Sequence, residues 1–139
     1  MPTPKLDFGK TPVATFPRKS FWDERFDFFL PGSTTDAVAN AAAIALTDEV
    51  RFRLFSGDNT SPLITMDDLN NSANGSSVTI DDRGTLLTTA CQVTIKLDDD
   101  DTDLAPGDYN FIIDVKDVSD SNRYQVACFG FIRIVDGMT

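Results

Sequence analysis

A chain of 139 residues and 15.2 kDa is long enough for one domain with its own hydrophobic core, and 41% hydrophobic content is ordinary for a globular protein. The net charge of −10 disfavours nucleic-acid binding, because an acidic surface repels phosphate, and no apolar run approaches the ~18 residues of a membrane span. With no histidine and no glycine-rich phosphate loop, the sequence predicts no catalytic, cofactor-binding or metal-binding residues, so we expect the protein not to be an enzyme.

Residues 1–22 combine four prolines with several large apolar side chains, which predicts an extended N-terminal arm. Such an arm either crosses its own domain or docks on another subunit, and docking is the interpretation we favour. Residues 1–20 carry a net charge of +3 and the remainder −13, so the arm would be attracted to an acidic neighbour. The predicted partner-binding residues are Lys5, Phe8, Lys10, Phe16, Arg18, Lys19, Phe21 and Trp22.

Residues 23–139 have the pattern of a single domain built from short strands with alternating apolar and polar side chains. The predicted strands are 23–30, 49–55, 63–66, 77–80, 90–97, 108–116 and 123–135. The alanine-rich stretch 36–46 is the one candidate helix, with Asp36 as its N-cap, although a loop carrying a single turn fits nearly as well.

Alternation also predicts which side chains point inward. The residues expected in the core are Phe26, Phe28, Leu30, Val50, Phe52, Leu54, Cys91, Val93, Ile95, Leu97, Tyr109, Phe111, Ile113 and Val115. Arg51 and Arg53 are expected to point outward. In the last strand, parity groups Tyr124, Val126, Cys128, Ile132 and Ile134 on the inward face. Gly130 is the predicted position of a bulge that moves Phe129 or Phe131 to the other face.

About seven short strands with frequent turns predict an all-β fold, an antiparallel immunoglobulin-like β-sandwich behind the N-terminal arm. The sequence lacks the Cys…Trp…Cys arrangement of a true antibody domain. Cys91 and Cys128 lie in apolar strands and are expected to be free thiols in a reducing compartment, although whether they approach each other stays open.

The run Asp98–Asp101, followed by Asp103 and Asp108, allows two interpretations. Clustered carboxylates bind calcium in some proteins, but the alternating spacing and closing glutamate of an EF-hand are missing here. A solvated acidic turn that protects a sheet edge from aggregation fits the sequence better.

The C-terminal half contains Thr102, Leu104, a Pro106–Tyr109 turn leading into a strand, a hairpin at Asp117–Ser121 and Gly130–Phe131 in the last strand. In this order the elements resemble the immunoglobulin-like domain of tailed-bacteriophage structural proteins, notably the N-terminal domain of upper baseplate proteins. The stretch EVRFRLFSGDN is similar to the first core strand of that domain, and the resemblance covers roughly residues 45–135.

The resemblance implies a non-enzymatic structural protein, made in the host cytoplasm and located in the virion. Capsid decoration or cement, and a neck, tail or baseplate adaptor, are the roles it suggests, with other virion proteins and copies of the same chain as partners. The alternative is a carbohydrate- or surface-binding module. Such modules display aromatic side chains on a sheet face or loop, and the loops 56–62 and 67–77 contain none.

Overall fold

A computed structural model describes residues 11–28, 49–56, 60–72, 74–83, 91–117 and 123–136. Every regular element in these ranges is a β-strand, which confirms the all-β fold class. The described part of the chain contains no helix with the length and hydropathy needed to cross a membrane. The predicted helix 36–46 lies outside the described residues. The eight strands are β1 (Ala14–Pro17), β2 (Trp22–Phe28), β3 (Glu49–Phe55), β4 (Ile64–Asp67), β5 (Ser77–Asp82), β6 (Cys91–Leu97), β7 (Gly107–Asp117) and β8 (Arg123–Val135).

The strands form two sheets that share one hydrophobic core, as in a β-sandwich. The five-stranded sheet has the order β1-β8-β7-β3-β4, and the three-stranded sheet has the order β2-β6-β5. All neighbouring strands are antiparallel except β1 and β8, which run parallel.

The core is built from the side chains that alternation predicted to point inward. Those of β3, β6 and β7 are all buried, as predicted. Phe111 lies at the centre, with its ring centroid 6.0 Å from that of Trp22, 5.5 Å from Phe26 and 5.9 Å from Phe52. Because β2 belongs to one sheet and β3 and β7 to the other, this aromatic group joins the two layers. Burying each such ring stabilises the fold by about 1.5–3 kcal/mol.

The N-terminal segment, for which docking on another subunit was the favoured interpretation, contributes a strand and a core residue to its own domain. Ala14–Pro17 pairs with Ile132–Val135 of β8, and the backbone N–H of Arg18 donates to the Val135 carbonyl at 2.9 Å. Proline is tolerated in β1 because this strand lies at the edge of the sheet. Residues 11–22 therefore cross their own domain, and the sandwich begins before residue 23.

The last strand contains a bulge, at a different place from the one predicted. Ile113 is opposite Cys128 while Asp114 is opposite Val126, so Ala127 is the extra residue. Because an extra residue reverses the alternation, Tyr124 and Val126 point outward instead of inward. The parity of Cys128, Ile132 and Ile134 is as predicted, and all three pack on the core.

Candidate functional site

The predicted partner-binding residues have different environments. Lys5, Phe8 and Lys10 lie outside the described residues. Phe16 stacks on Trp22 with ring centroids 6.1 Å apart, and both pack into the core of their own chain. The three others lie in the turn between β1 and β2, where Arg18, Lys19 and Phe21 are exposed.

This turn is attached to the acidic loop that follows β6. The Arg18 guanidinium forms an ion pair with Asp103 at 2.7 Å, and Thr102 Oγ1 donates to the Ser20 carbonyl at 2.6 Å. Lys19 adopts a left-handed φ of 65°, and its backbone N–H donates to the Thr102 carbonyl. For Arg18, the acidic neighbour therefore lies within the same chain.

The acidic loop itself is an exposed turn in which the carboxylates of Asp98, Asp99 and Asp100 lie within 4.8 Å of one another. The pKa of Asp99 is raised by a hydrogen bond with Asp98, and further by burial and the neighbouring negative charges. Asp101 accepts hydrogen bonds from Ser72 and Ser76 as well as from Asn74, which fastens the loop after β4 to this turn. The geometry is that of a solvated, internally bonded turn.

The outward faces of the two sheets differ in chemistry. On the three-stranded sheet, the outward side chains are all polar: Asp23, Arg25, Asp27, Ser77, Thr79, Gln92, Thr94 and Lys96. On the five-stranded sheet, the outward side chains include a row of apolar ones along β8. Tyr124, Val126 and Phe129 in this row are 39%, 41% and 41% exposed. We call the outward face of the five-stranded sheet the aromatic face.

Three arginines of the aromatic face lie over aromatic rings. The Arg51 guanidinium carbon lies 3.6 Å from the ring centroid of Tyr124. Two further stacks, of Arg53 on Phe55 at 5.5 Å and of Arg133 on Phe131 at 5.9 Å, are within the range of cation–π attraction. Phe55, Phe131 and Ile112 are buried although they point away from the core. Aromatic and arginine side chains are enriched in protein interfaces.

Asp114 holds two of these arginines in place. Its buried carboxylate accepts from Arg51 Nε at 2.9 Å and Nη2 at 2.7 Å, and from Arg53 Nη2 at 2.9 Å. Partial burial alone would lower the pKa of Arg51, but the hydrogen bonds and charge of Asp114 raise it above its ordinary value. The buried Nε of Arg53 meets no hydrogen-bond acceptor among the residues that the structure describes.

This arrangement of stacked arginines and aromatic rings is suited to binding a partner surface. Sequence analysis identified Arg51 and Arg53 as outward but missed Tyr124 and Val126. Their outward direction depends on the bulge at Ala127, and no residue type in the local sequence marks this bulge.

No protein-family model matches this sequence, and a search of curated proteins finds no relative.

Proposed function

We propose that the domain has the immunoglobulin-like topology, with β2 to β8 corresponding to strands B, C, C′, D, E, F and G. Immunoglobulin domains place C, F and G in one sheet and B, E and D in the other, and variable-type domains add C′ beside C. The observed orders β8-β7-β3-β4 and β2-β6-β5 support this assignment. The edge strand β1, parallel to β8, extends the same sheet.

Tyr109 supports the assignment independently. Immunoglobulin-type domains carry a tyrosine near the start of strand F whose hydroxyl bonds to the backbone a few residues upstream. Here Tyr109 lies near the start of β7, and its hydroxyl donates to the Ala105 carbonyl at 2.6 Å. The hydrogen bond fixes the crossing from the three-stranded to the five-stranded sheet.

The aromatic group in the core occupies the positions of the disulfide and tryptophan of antibody domains. The second cysteine of that disulfide lies on F, two residues after the tyrosine, which is the position of Phe111. Phe26 on β2 contacts it from the other sheet, and Phe52 on β3 corresponds to the packing tryptophan. Ring packing would thus replace the disulfide, which suits a chain kept in a reducing compartment.

We propose that the protein has a non-enzymatic structural function. It would be a virion protein of a tailed bacteriophage that docks on other virion proteins. The aromatic face carries this proposal, because exposed Tyr124 and Val126 beside a stacked Arg51 form a surface of interface composition. The virion location rests on the resemblance of the C-terminal half to phage structural domains. Capsid decoration and a neck, tail or baseplate adaptor are both compatible with an assembly domain of this kind.

The proposed function is tested by counting copies of the protein in purified native particles, using quantitative mass spectrometry against the main shell protein. Hundreds of copies in a simple ratio to the shell protein indicate decoration or cement. Roughly three to twelve copies, as expected for closed rings, indicate a neck, tail or baseplate adaptor. Absence from every particle fraction refutes the virion function.

A carbohydrate- or surface-binding module is the second candidate, and the exposed ring of Tyr124 on a sheet face is the observation that favours it. Sugar rings stack on such aromatic faces, whereas a protein partner needs a larger surrounding surface. A glycan array distinguishes the two. Binding that is lost in Tyr124→Ala favours the module, and absence of glycan binding with incorporation into particles favours the structural protein.

A further inference from the structure

We propose that the aromatic face is a contact between two copies of this chain, which pack face to face about a two-fold axis. The inference rests on the proposed structural function and names the partner that this surface accepts.

The charge distribution favours a second copy at this face. Within the described residues, the aromatic face carries four cations and four anions, so its net charge is zero, whereas the whole chain carries −10. The aromatic face is therefore less negative than the molecule as a whole. Two copies that meet through a surface of net negative charge repel each other, and contact through the aromatic face avoids this repulsion. The outward face of the three-stranded sheet is also close to neutral, with Asp23 and Asp27 beside Arg25 and Lys96, but it offers only polar side chains for burial. The charged residues of the aromatic face are Glu49, Arg51, Arg53, Asp67, Asp108, Asp114, Lys116 and Arg133.

Seven of these eight charged groups are also paired within the face, and the eighth, Asp67, accepts hydrogen bonds from Leu69 and Asn70. Lys116 and Glu49 approach to 3.9 Å, Arg133 donates to Asp108 at 2.8 Å, and Asp114 holds both remaining arginines. A two-fold contact places each patch against its own copy, so a surface with internally balanced charge is compatible with itself. Burial of Tyr124 and Val126 then supplies the favourable free energy.

The size of the face indicates the strength of the contact. Five strands spaced about 4.8 Å apart, with roughly seven residues each at about 3.3 Å, give a projected area on the order of 500 Å². Standard interfaces bury about 800 Å² of accessible surface on each partner. The area of the aromatic face is of the same order but smaller than this standard, so we expect a reversible dimer that forms at high protein concentration.

The first measurement is sedimentation equilibrium of the full chain over a range of concentrations and salt. We expect a monomer–dimer equilibrium, with a dimer of twice 15.2 kDa. Dimerisation should strengthen between about 50 mM and about 500 mM NaCl, because salt screens the repulsion between two copies of charge −10. If the contact depended instead on attraction to an acidic partner or an acidic loop, it would weaken over the same range of salt concentration.

Two variants with the same change of charge locate the contact. Val126→Lys puts a cation on the aromatic face, opposite Asp114. Thr79→Lys makes the same change on the exposed face of the three-stranded sheet. We expect Val126→Lys to raise the dimer dissociation constant at least about tenfold and Thr79→Lys to leave dimerisation intact. Tyr124→Ser gives a second test of the same face if Val126→Lys unfolds.

A strictly monomeric chain, or dimers that persist in both Val126→Lys and Tyr124→Ser, would overturn the proposal. So would a dimer that weakens as salt is added. These outcomes are separate from a failure of the proposed function, because a monomeric chain that is present in purified particles remains a virion protein. A chain that dimerises through this face but is absent from particles keeps the contact and loses the virion function.

Discussion

Phe21 and Trp22 are neighbours in the chain, yet the side chain of Phe21 is 74% exposed and that of Trp22 only 6%. The turn ends between them, and Trp22 begins β2 with its indole against Phe16, Phe26 and Phe111. The two residues were predicted together as anchors of a docking arm. In the folded chain only Phe21 of the two is exposed to solvent.

This contrast predicts that replacing each side chain by alanine changes the free energy of unfolding by very different amounts. Trp22→Ala should lower the free energy of unfolding by about 3–5 kcal/mol, because it leaves a large cavity in the core. Phe21→Ala should leave it nearly unchanged. Trp22→Phe should be the milder change at that position, because the indole N–H has no acceptor in the core and a smaller ring retains most contacts. Urea unfolding followed by circular dichroism measures all three, and equal losses for Phe21→Ala and Trp22→Ala would contradict the packing.

Deleting the N-terminal segment should also destabilise the domain, depending on where the deletion ends. Removing residues 1–22 takes away β1 and Trp22, so we expect a chain that unfolds at a much lower temperature than the full-length chain. A deletion that stops at residue 10 keeps every described hydrogen bond of β1 and serves as the control. Thermal melts compare the two, and a full-length melting temperature for the longer deletion would show that β1 adds nothing to the fold.

Alternation predicted most of the core, because one residue out of two is buried wherever a strand is regular. The pattern was wrong where tertiary contacts intervene. Pro12 and Pro17 predicted an extended arm, and docking on another subunit was favoured, but an edge strand next to β8 tolerates proline because one side of its backbone needs no partner. Likewise, no residue type marks the bulge at Ala127, so the outward direction of Tyr124 was not predictable from parity.

The buried carboxylate of Asp114 gives a third prediction. Asp114→Ala leaves two guanidiniums without their shared partner, and we expect a loss of about 3 kcal/mol, at the low end for a broken buried pair because both arginines still contact solvent. Asp108→Ala breaks an ion pair on the same face whose two side chains are exposed, and the unfolding midpoint should hardly move. Chemical denaturation of the two variants tests this difference, and an equal loss for both would argue against a special role for burial.

The hydroxyl of Tyr109 gives a fourth prediction. Tyr109→Phe keeps the buried ring and removes only the hydrogen bond to the Ala105 carbonyl, so we expect a loss of about 1–2 kcal/mol. Tyr124→Phe is the matched control, because its ring serves mainly to stack on Arg51 and no hydrogen bond of its hydroxyl is seen in the described structure. Measured by urea unfolding, Tyr124→Phe should be close to the unchanged chain. A neutral Tyr109→Phe would remove one of the supports for the immunoglobulin-like topology.

The thiol of Cys128 predicts how stability changes in alkali. Burial, with a smaller contribution from the negative charge of Asp27, raises its pKa from 9.0 to about 11. Well below pH 9 the thiol is almost fully protonated in both the folded and the unfolded chain, so it adds little pH dependence there. Between about pH 9 and pH 11 the unfolded chain loses this proton while the folded chain keeps it. The unfolded state then binds fewer protons, and the free energy of unfolding must fall as pH rises.

Comparing the unchanged chain with Cys128→Ala isolates this contribution, because all other groups titrate in both. As pH rises from 8 to 11, we expect the unfolding free energy of the unchanged chain to fall relative to that of Cys128→Ala. Thiol modification gives a second measurement: at pH 8, Cys128 should react much more slowly in the folded chain than in urea, since the thiolate is the reactive form. A pH-independent difference, or equally fast modification in both states, would mean that burial does not keep the Cys128 thiol protonated in the folded chain.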